Sequence, residues 1–164
     1  MTLGEVSLRE AEPEDKPFLG RLYFDTRRQE VESWGWPQQQ QEFFLKMQFE
    51  AQFRSYSLNY PEARDRIVLA GELPAGRLLA GREGGAMRLI DIALLGEFRN
   101  LGIGGELIRR LIVKCQEESI ALRLQVLRGN PALRLYNRLG FIETGADPVY
   151  IQMERDCAPL AERL

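Results

Sequence analysis

Between residues 87 and 126 the chain changes its hydrophobic period twice. Met87–Leu95 is a β-like run, and Gly102–Ser119 sets Ile103, Leu107, Ile108, Leu111, Ile112 and Cys115 at helical spacing. Ala121–Val126 is again a compact β-like run. Strand, helix, strand in that order is a βαβ crossover, which puts the two strands parallel in one sheet. The rest of the chain has to complete that sheet and cover it.

Upstream, Val6–Arg9 alternates like a short strand, and Pro13-Glu14-Asp15 supplies the acidic, turn-like residues that start a helix, expected over 14–31. Pro37 suits a first helical turn. The good helix formers of Gln38–Arg54 place Phe43, Phe44, Met47 and Ala51 on one broad apolar face, in a helix that ends before Tyr60-Pro61. From Arg66 the punctuation changes. Ile67–Glu72, Arg77–Arg82 and Met87–Leu95, separated by Leu73-Pro74-Ala75-Gly76 and by Gly84-Gly85, read as an antiparallel meander. Asn130–Leu139 is a short helix, followed by a Gly140-Phe141 turn and a strand pair near Phe141–Glu143 and Val149–Glu154. With 164 residues, 45% of them apolar, one domain over 1–164 is expected.

Composition narrows the chemistry. The chain has no histidine, which removes the Ser-His-Asp and Cys-His nucleophile systems and any metal site that needs imidazole. Cys115 and Cys157 have no third thiol to help them, so neither zinc nor a disulfide framework is indicated, and a reducing, cytoplasmic setting fits best. Cys115, on the apolar stripe of its helix, reads as core. No export signal or membrane anchor is read. From Arg99 to Arg138 eight basic residues face three acidic ones, a net of +5 that leaves −7 for the rest of a −2 chain. A compact basic half in an acidic chain suits a small polyanion better than a nucleic acid.

The polyanion has an obvious place. At the strand–helix junction the sequence reads Leu94-Leu95-Gly96-Glu97-Phe98-Arg99-Asn100-Leu101-Gly102-Ile103-Gly104-Gly105. Glycines there remove the Cβ atoms that hold a phosphate away, successive amides can point at one spot, and the helix N-terminus adds its dipole. A dinucleotide fingerprint starting at Gly102 would need a small residue at Leu107. A Gly-Lys-Ser/Thr loop and a serine elbow between glycines are both absent.

Arg99-x-x-Gly102-x-Gly104, with Asn130-Pro131-Ala132-Leu133-Arg134-Leu135-Tyr136-Asn137-Arg138-Leu139-Gly140-Phe141 downstream, resembles the GNAT superfamily of acetyl-CoA-dependent N-acyltransferases. Sequence detail matches over 88–141, and the order of elements matches over nearly the whole chain. The resemblance implies an α/β (α+β) fold: a mixed central sheet with an antiparallel meander, strands that splay at the cofactor site, and flanking helices. It implies that amides from Arg99 through Asn100, Leu101, Gly102, Ile103 and Gly104 to Gly105 hold the pyrophosphate of acetyl-CoA. The pantetheine would lie beside Ala93 and Leu94 between splayed strands 87–95 and 121–126, with the Leu94 amide facing the thioester oxygen. Asn130 would contact the cofactor, and Tyr136 would protonate the departing thiolate. Structural roles stand beside these: Asn130 as a helix cap, Tyr136 as a packed ring.

The match departs from the family at one position. Arg88 occupies the place where many members carry a glutamate as general base. The nearest strand carboxylate is Asp91, which alternation turns to the other face from Arg88, and Glu72 or the helical region is the other candidate source of a base. A weakly basic acceptor would lessen the need for one. The aromatic segment Trp34–Tyr60 takes the place of the family's roof over the acceptor, as a pocket, as simple packing, or as a contact with a second copy in a homodimer. The expected partners are therefore acetyl-CoA and an amine, with no nucleic acid and no membrane. A non-catalytic acyl-CoA-binding domain or an interaction module using the aromatic helices are the alternatives.

Overall fold

The computed structural model describes residues 4–157. Its strands are β1 (Val6–Glu10), β2 (Arg64–Ala70), β3 (Leu73–Glu83), β4 (Ala86–Leu94), β5 (Leu122–Leu127), β6 (Ile142–Ala146) and β7 (Tyr150–Arg155). The helices are α1 (Lys16–Glu32), α2 (Gln38–Asn59), α3 (Ile103–Glu118) and α4 (Ala132–Arg138). The strands form a seven-stranded mixed sheet in the order β1-β2-β3-β4-β5-β7-β6. Two compact units divide the described residues: 4–78 with 92–101, and 79–91 with 102–157. No helix among the described residues is long and apolar enough to cross a membrane.

In the first unit β1 pairs antiparallel with β2, from Val6↔Ala70 to Glu10↔Arg66. The chain then turns into α1 through a 3-10 turn at Pro13–Asp15. Arg9 grips the Asp15 carboxylate with two hydrogen bonds of 2.8 Å, and the Glu12 amide adds a third, so the Asp15 pKa falls to about 2. A core cluster joins Leu19 and Leu22 of α1, Phe49 of α2, Ile67 and Leu95.

The apolar face of α2 differs from the expected one. Leu45 and Phe49 are buried, whereas Phe43 and Met47 are 67% and 56% exposed. Apolar residues run all round this helix, so spacing alone does not select the buried side; packing against α1 does, with Gly20 lying 3.4 Å from the Phe49 ring once a Cβ is added. Trp34, Trp36 and Phe44 pack on one another at centroid distances of 5.0–5.5 Å.

The meander has its first turn earlier than its glycines and prolines suggest. The turn is Gly71-Glu72, with Gly71 at φ +63° and its amide on the Glu5 carbonyl, and Leu73–Gly76 already belong to β3. Pro74 and Gly76 look like punctuation because they weaken a strand, but here glycine answers a close approach. A Cβ on Gly76 would collide with the Ala93 carbonyl oxygen and lie 2.8 Å from Leu94 Cδ2. The Leu95 amide donates to the Ala75 carbonyl at 2.8 Å, which fixes this approach at the end of β4. Beside it, Arg77 is buried and held bidentately by Asp65, both bonds 2.8 Å, with its guanidinium over the Tyr56 ring.

In the second unit β4 and β5 pair parallel, Met87↔Leu122, Arg88↔Arg123 and Leu89↔Leu124, as the crossover through α3 requires. The helical stripe is buried in full: Ile103, Leu107, Ile108, Leu111, Ile112 and Cys115. β5 pairs antiparallel with β7 over its whole length, and β7 with β6.

Substituting Gly76→Ala should destabilise the protein by about 3 kcal/mol, because the Ala93 carbonyl is backbone and cannot rotate away. Chemical denaturation checks this, and an unchanged midpoint would contradict the close approach.

Candidate active site

β4 ends at Leu94, and the chain passes through a 3-10 turn, Gly96–Phe98, into the glycine-rich segment. The Phe98 and Arg99 amides are used inside that turn, donating to the Leu95 and Gly96 carbonyls at 2.9 and 3.2 Å. From Asn100 the pattern changes. Asn100 sits at φ +61° and Gly102 at φ +85°, the latter as the residue that precedes α3. The first amide of the α3 ladder is that of Glu106, bonded to the Gly102 carbonyl at 3.1 Å. Among the described residues the amides of Asn100, Leu101, Gly102, Ile103, Gly104 and Gly105 make no well-formed hydrogen bond. Gly102 in the left-handed region, followed directly by the N-terminus of α3, is a backbone arrangement that presents successive donors to an anion. A Cβ on Gly102 or on Gly104 would meet nothing within 4 Å, so the space over these residues is open.

The Arg99 side chain folds back instead of reaching outward. Its Nε donates to the Leu94 carbonyl at 2.9 Å and its Nη2 to Asp25 at 3.1 Å. Asp25 was not marked by any sequence pattern; it meets Gly96 and Arg99 across more than seventy residues, and no local spacing reports such a contact.

α4 stands next to the start of α3. A Cβ on Gly105 would lie 3.5 Å from Leu135 Cδ1, ordinary contact distance, so Gly105 and α4 are neighbours. Tyr136, the next residue, is 6% exposed, and its ring meets that of Phe141 edge-on at 5.6 Å. Burial and, second, the negative charge of Asp91 push the Tyr136 phenol up to about 12. The two residues assigned to acid and base chemistry are thus brought together within Coulombic reach. Asn130 takes the capping geometry: its side-chain oxygen accepts the Ala132 amide at 2.9 Å, at the start of α4.

The parallel pairing of β4 with β5 ends at Leu89↔Leu124. The same register would set Ile90 opposite Gln125 and Asp91 opposite Val126, and these pairs do not form, so Asp91 lies just past the point where the two strands part. Arg88 makes an ion pair with Glu83 at 3.6 Å. Glu72 is exposed at the β2–β3 turn. Cys115 is fully buried, and burial together with the neighbouring Cys157 thiol pushes its pKa to about 12, which makes it inert as a nucleophile. Among the described residues no cluster of acidic and thiol side chains could hold a metal ion.

Known proteins agree with this architecture. The chain superposes on the crystal structure of PaiA N-acetyltransferase from Thermoplasma acidophilum in complex with coenzyme A, with a TM-score of 0.71 and 16% identity, covering 93% of this chain and 99% of that one. It is also similar to the ribosomal-protein-S18-alanine N-acetyltransferase of Escherichia coli, with a TM-score of 0.65 and 18% identity over 98% and 99% of the two chains. An acetyltransferase from Thermus thermophilus matches with a TM-score of 0.67 and 18% identity over 94% and 99%. No curated protein matches the sequence closely. The family model for the acetyltransferase (GNAT) family matches residues 22–141, which include the glycine-rich run, Asp91, Asn130 and Tyr136, and the chain belongs to that family.

Proposed function

We propose that this protein is an N-acetyltransferase that moves the acetyl group of acetyl-CoA directly to an amine, with Tyr136 as general acid and Asp91 as the base that takes the amine proton. The observation that carries the reading is the run of unengaged amides from Asn100 to Gly105. Such a run is costly to leave dry and fits a pyrophosphate, and the net positive charge of the segment Arg99–Arg138 favours the same ligand. The relative from Thermoplasma acidophilum was crystallised with coenzyme A, which supports this choice of donor. Ala93 and Leu94, at the end of β4, are assigned to the pantetheine, and Asn130 and Arg99 to shaping the cofactor site.

Acetyl-CoA supplies an acyl group already activated as a thioester. Tyr136 keeps its proton at every pH below about 12, so it is a donor throughout the working range. Each pKa unit is worth about 1.4 kcal/mol, so a phenol held this high yields its proton only as negative charge builds on the sulfur. Amine nitrogen and thioester sulfur both attach to one carbonyl carbon during direct transfer. An acid and a base therefore have to lie within reach of one another, and the charge of Asp91 acting on the Tyr136 phenol supports this pairing. A simple alkylamine with pKa near 10.4 needs roughly 4.6 kcal/mol to lose its proton at pH 7, whereas an aniline or hydrazine needs far less. Both cysteines are free and buried, which suits the reducing, cytoplasmic setting assigned to the protein.

Tyr136→Phe should lower kcat for thiol release by roughly 10²–10⁴-fold while calorimetry shows unchanged affinity for CoA. An unchanged rate would overturn the acid assignment and leave a CoA-binding domain without this chemistry. Asp91→Asn should lower the Tyr136 pKa from its value of about 12, though burial keeps it above the ordinary tyrosine value, as ultraviolet titration against Tyr136→Phe would read. The same substitution should reduce kcat/KM for an alkylamine far more than for a hydrazine; an equal loss for both would overturn the base assignment.

A further inference from the structure

We infer that Asp25 is a positioning residue for the cofactor loop, acting through Gly96 and Arg99. One carboxylate oxygen, Oδ2, accepts the Gly96 amide at 2.7 Å and the Arg99 guanidinium at 3.1 Å. These two donors are the first residue of the 3-10 turn and the residue that follows it. Arg99 is held from its other side by the Leu94 carbonyl at 2.9 Å. A single side chain from α1 thus brackets the turn that joins the end of β4 to Asn100, where the free amides begin. This assignment rests on the reading of those amides as the pyrophosphate site.

Three features set Asp25 apart from an ordinary helical aspartate. Aspartate is a poor residue for a helix interior, and Asp25 lies in the middle of α1. Arg21 and Arg28 stand four and three residues away on the same helix, yet the ion pair of Asp25 is with Arg99. Leu22, one turn earlier on that face, is buried in the core cluster, so Asp25 stands at the sheet-facing edge of the helix. Gly96 lies close beside it: a Cβ there would meet Asp25 Oδ2 at 3.4 Å, ordinary contact distance.

The side chains of Asp25 and Arg99 are 27% and 40% exposed, so their attraction contributes little to global stability. What the clamp fixes is the direction in which the chain leaves β4, and with it the placement of Asn100 at φ +61°. Losing it should loosen the donors that hold the pyrophosphate and leave the chemistry at the thioester alone.

The test compares two acyl donors: acetyl-CoA, and acetyl-pantetheine, which lacks the pyrophosphate. Asp25→Ala should raise KM for acetyl-CoA about tenfold, the size of one hydrogen bond to a charged group, with kcat near wild type and with kcat/KM for acetyl-pantetheine unchanged. Asp25→Asn, which keeps an acceptor for the Gly96 amide and loses the charge facing Arg99, should fall between. In an Arg99→Ala background the further substitution Asp25→Ala should cost less than it does alone, since the two share one interaction. Equal losses with both donors, or an unchanged KM for acetyl-CoA, would overturn the clamp while leaving the loop reading intact. Wild-type protein that binds no CoA would overturn both.

Discussion

Pairing between β4 and β5 stops after Leu89↔Leu124, although β5 itself goes on, paired with β7 through Leu127. A sheet that parts in its middle leaves backbone donors and acceptors that nothing in the sheet can use, and such groups persist only where a partner or solvent meets them. The residues that follow the parting on β4 are Ile90 and Asp91. The crossover through α3 forces β4 and β5 to be parallel neighbours, and the proposed chemistry is placed at their divergence. Tyr136, delivered by α4 against the start of α3, feels the charge of Asp91 at this place.

The far end of β4 obeys a second constraint. Gly76 lets β3 come up against the Ala93 carbonyl, Ala75 takes the Leu95 amide, and the Arg99 guanidinium takes the Leu94 carbonyl. The Leu95 amide and the Leu94 carbonyl are thereby occupied, and the chain leaves the sheet into the 3-10 turn. Among the described residues the amides that follow that turn, from Asn100 to Gly105, make no well-formed hydrogen bond.

Much of this is legible in the residues. The α3 stripe reads directly because it has one period and one face, and each of its named residues is buried. The junction from Gly96 to Gly105 reads directly because glycine has few other reasons to cluster between a strand and a helix. α2 is different: Phe43, Phe44, Leu45, Met47 and Phe49 surround the helix, so the choice of Leu45 and Phe49 as the buried pair is made by packing, out of reach of spacing. Pro74 and Gly76 read as a turn although they lie in β3, because a glycine that makes room for a neighbouring carbonyl looks in sequence like one that makes a bend. The elevated Tyr136 pKa and the reach of Asp25 to Gly96 depend on contacts distant in the chain, which no motif encodes.

The proposed pyrophosphate site consists of the amides between Asn100 and Gly105. Titrating CoA into isotope-labelled protein and following backbone amide resonances tests them directly. The expected result is saturable binding with the largest shifts at Asn100, Leu101, Gly102, Ile103, Gly104 and Gly105, and smaller ones at Phe98 and Arg99, whose amides are already bonded. Saturable binding that leaves those resonances unmoved, or no binding at all, would contradict it.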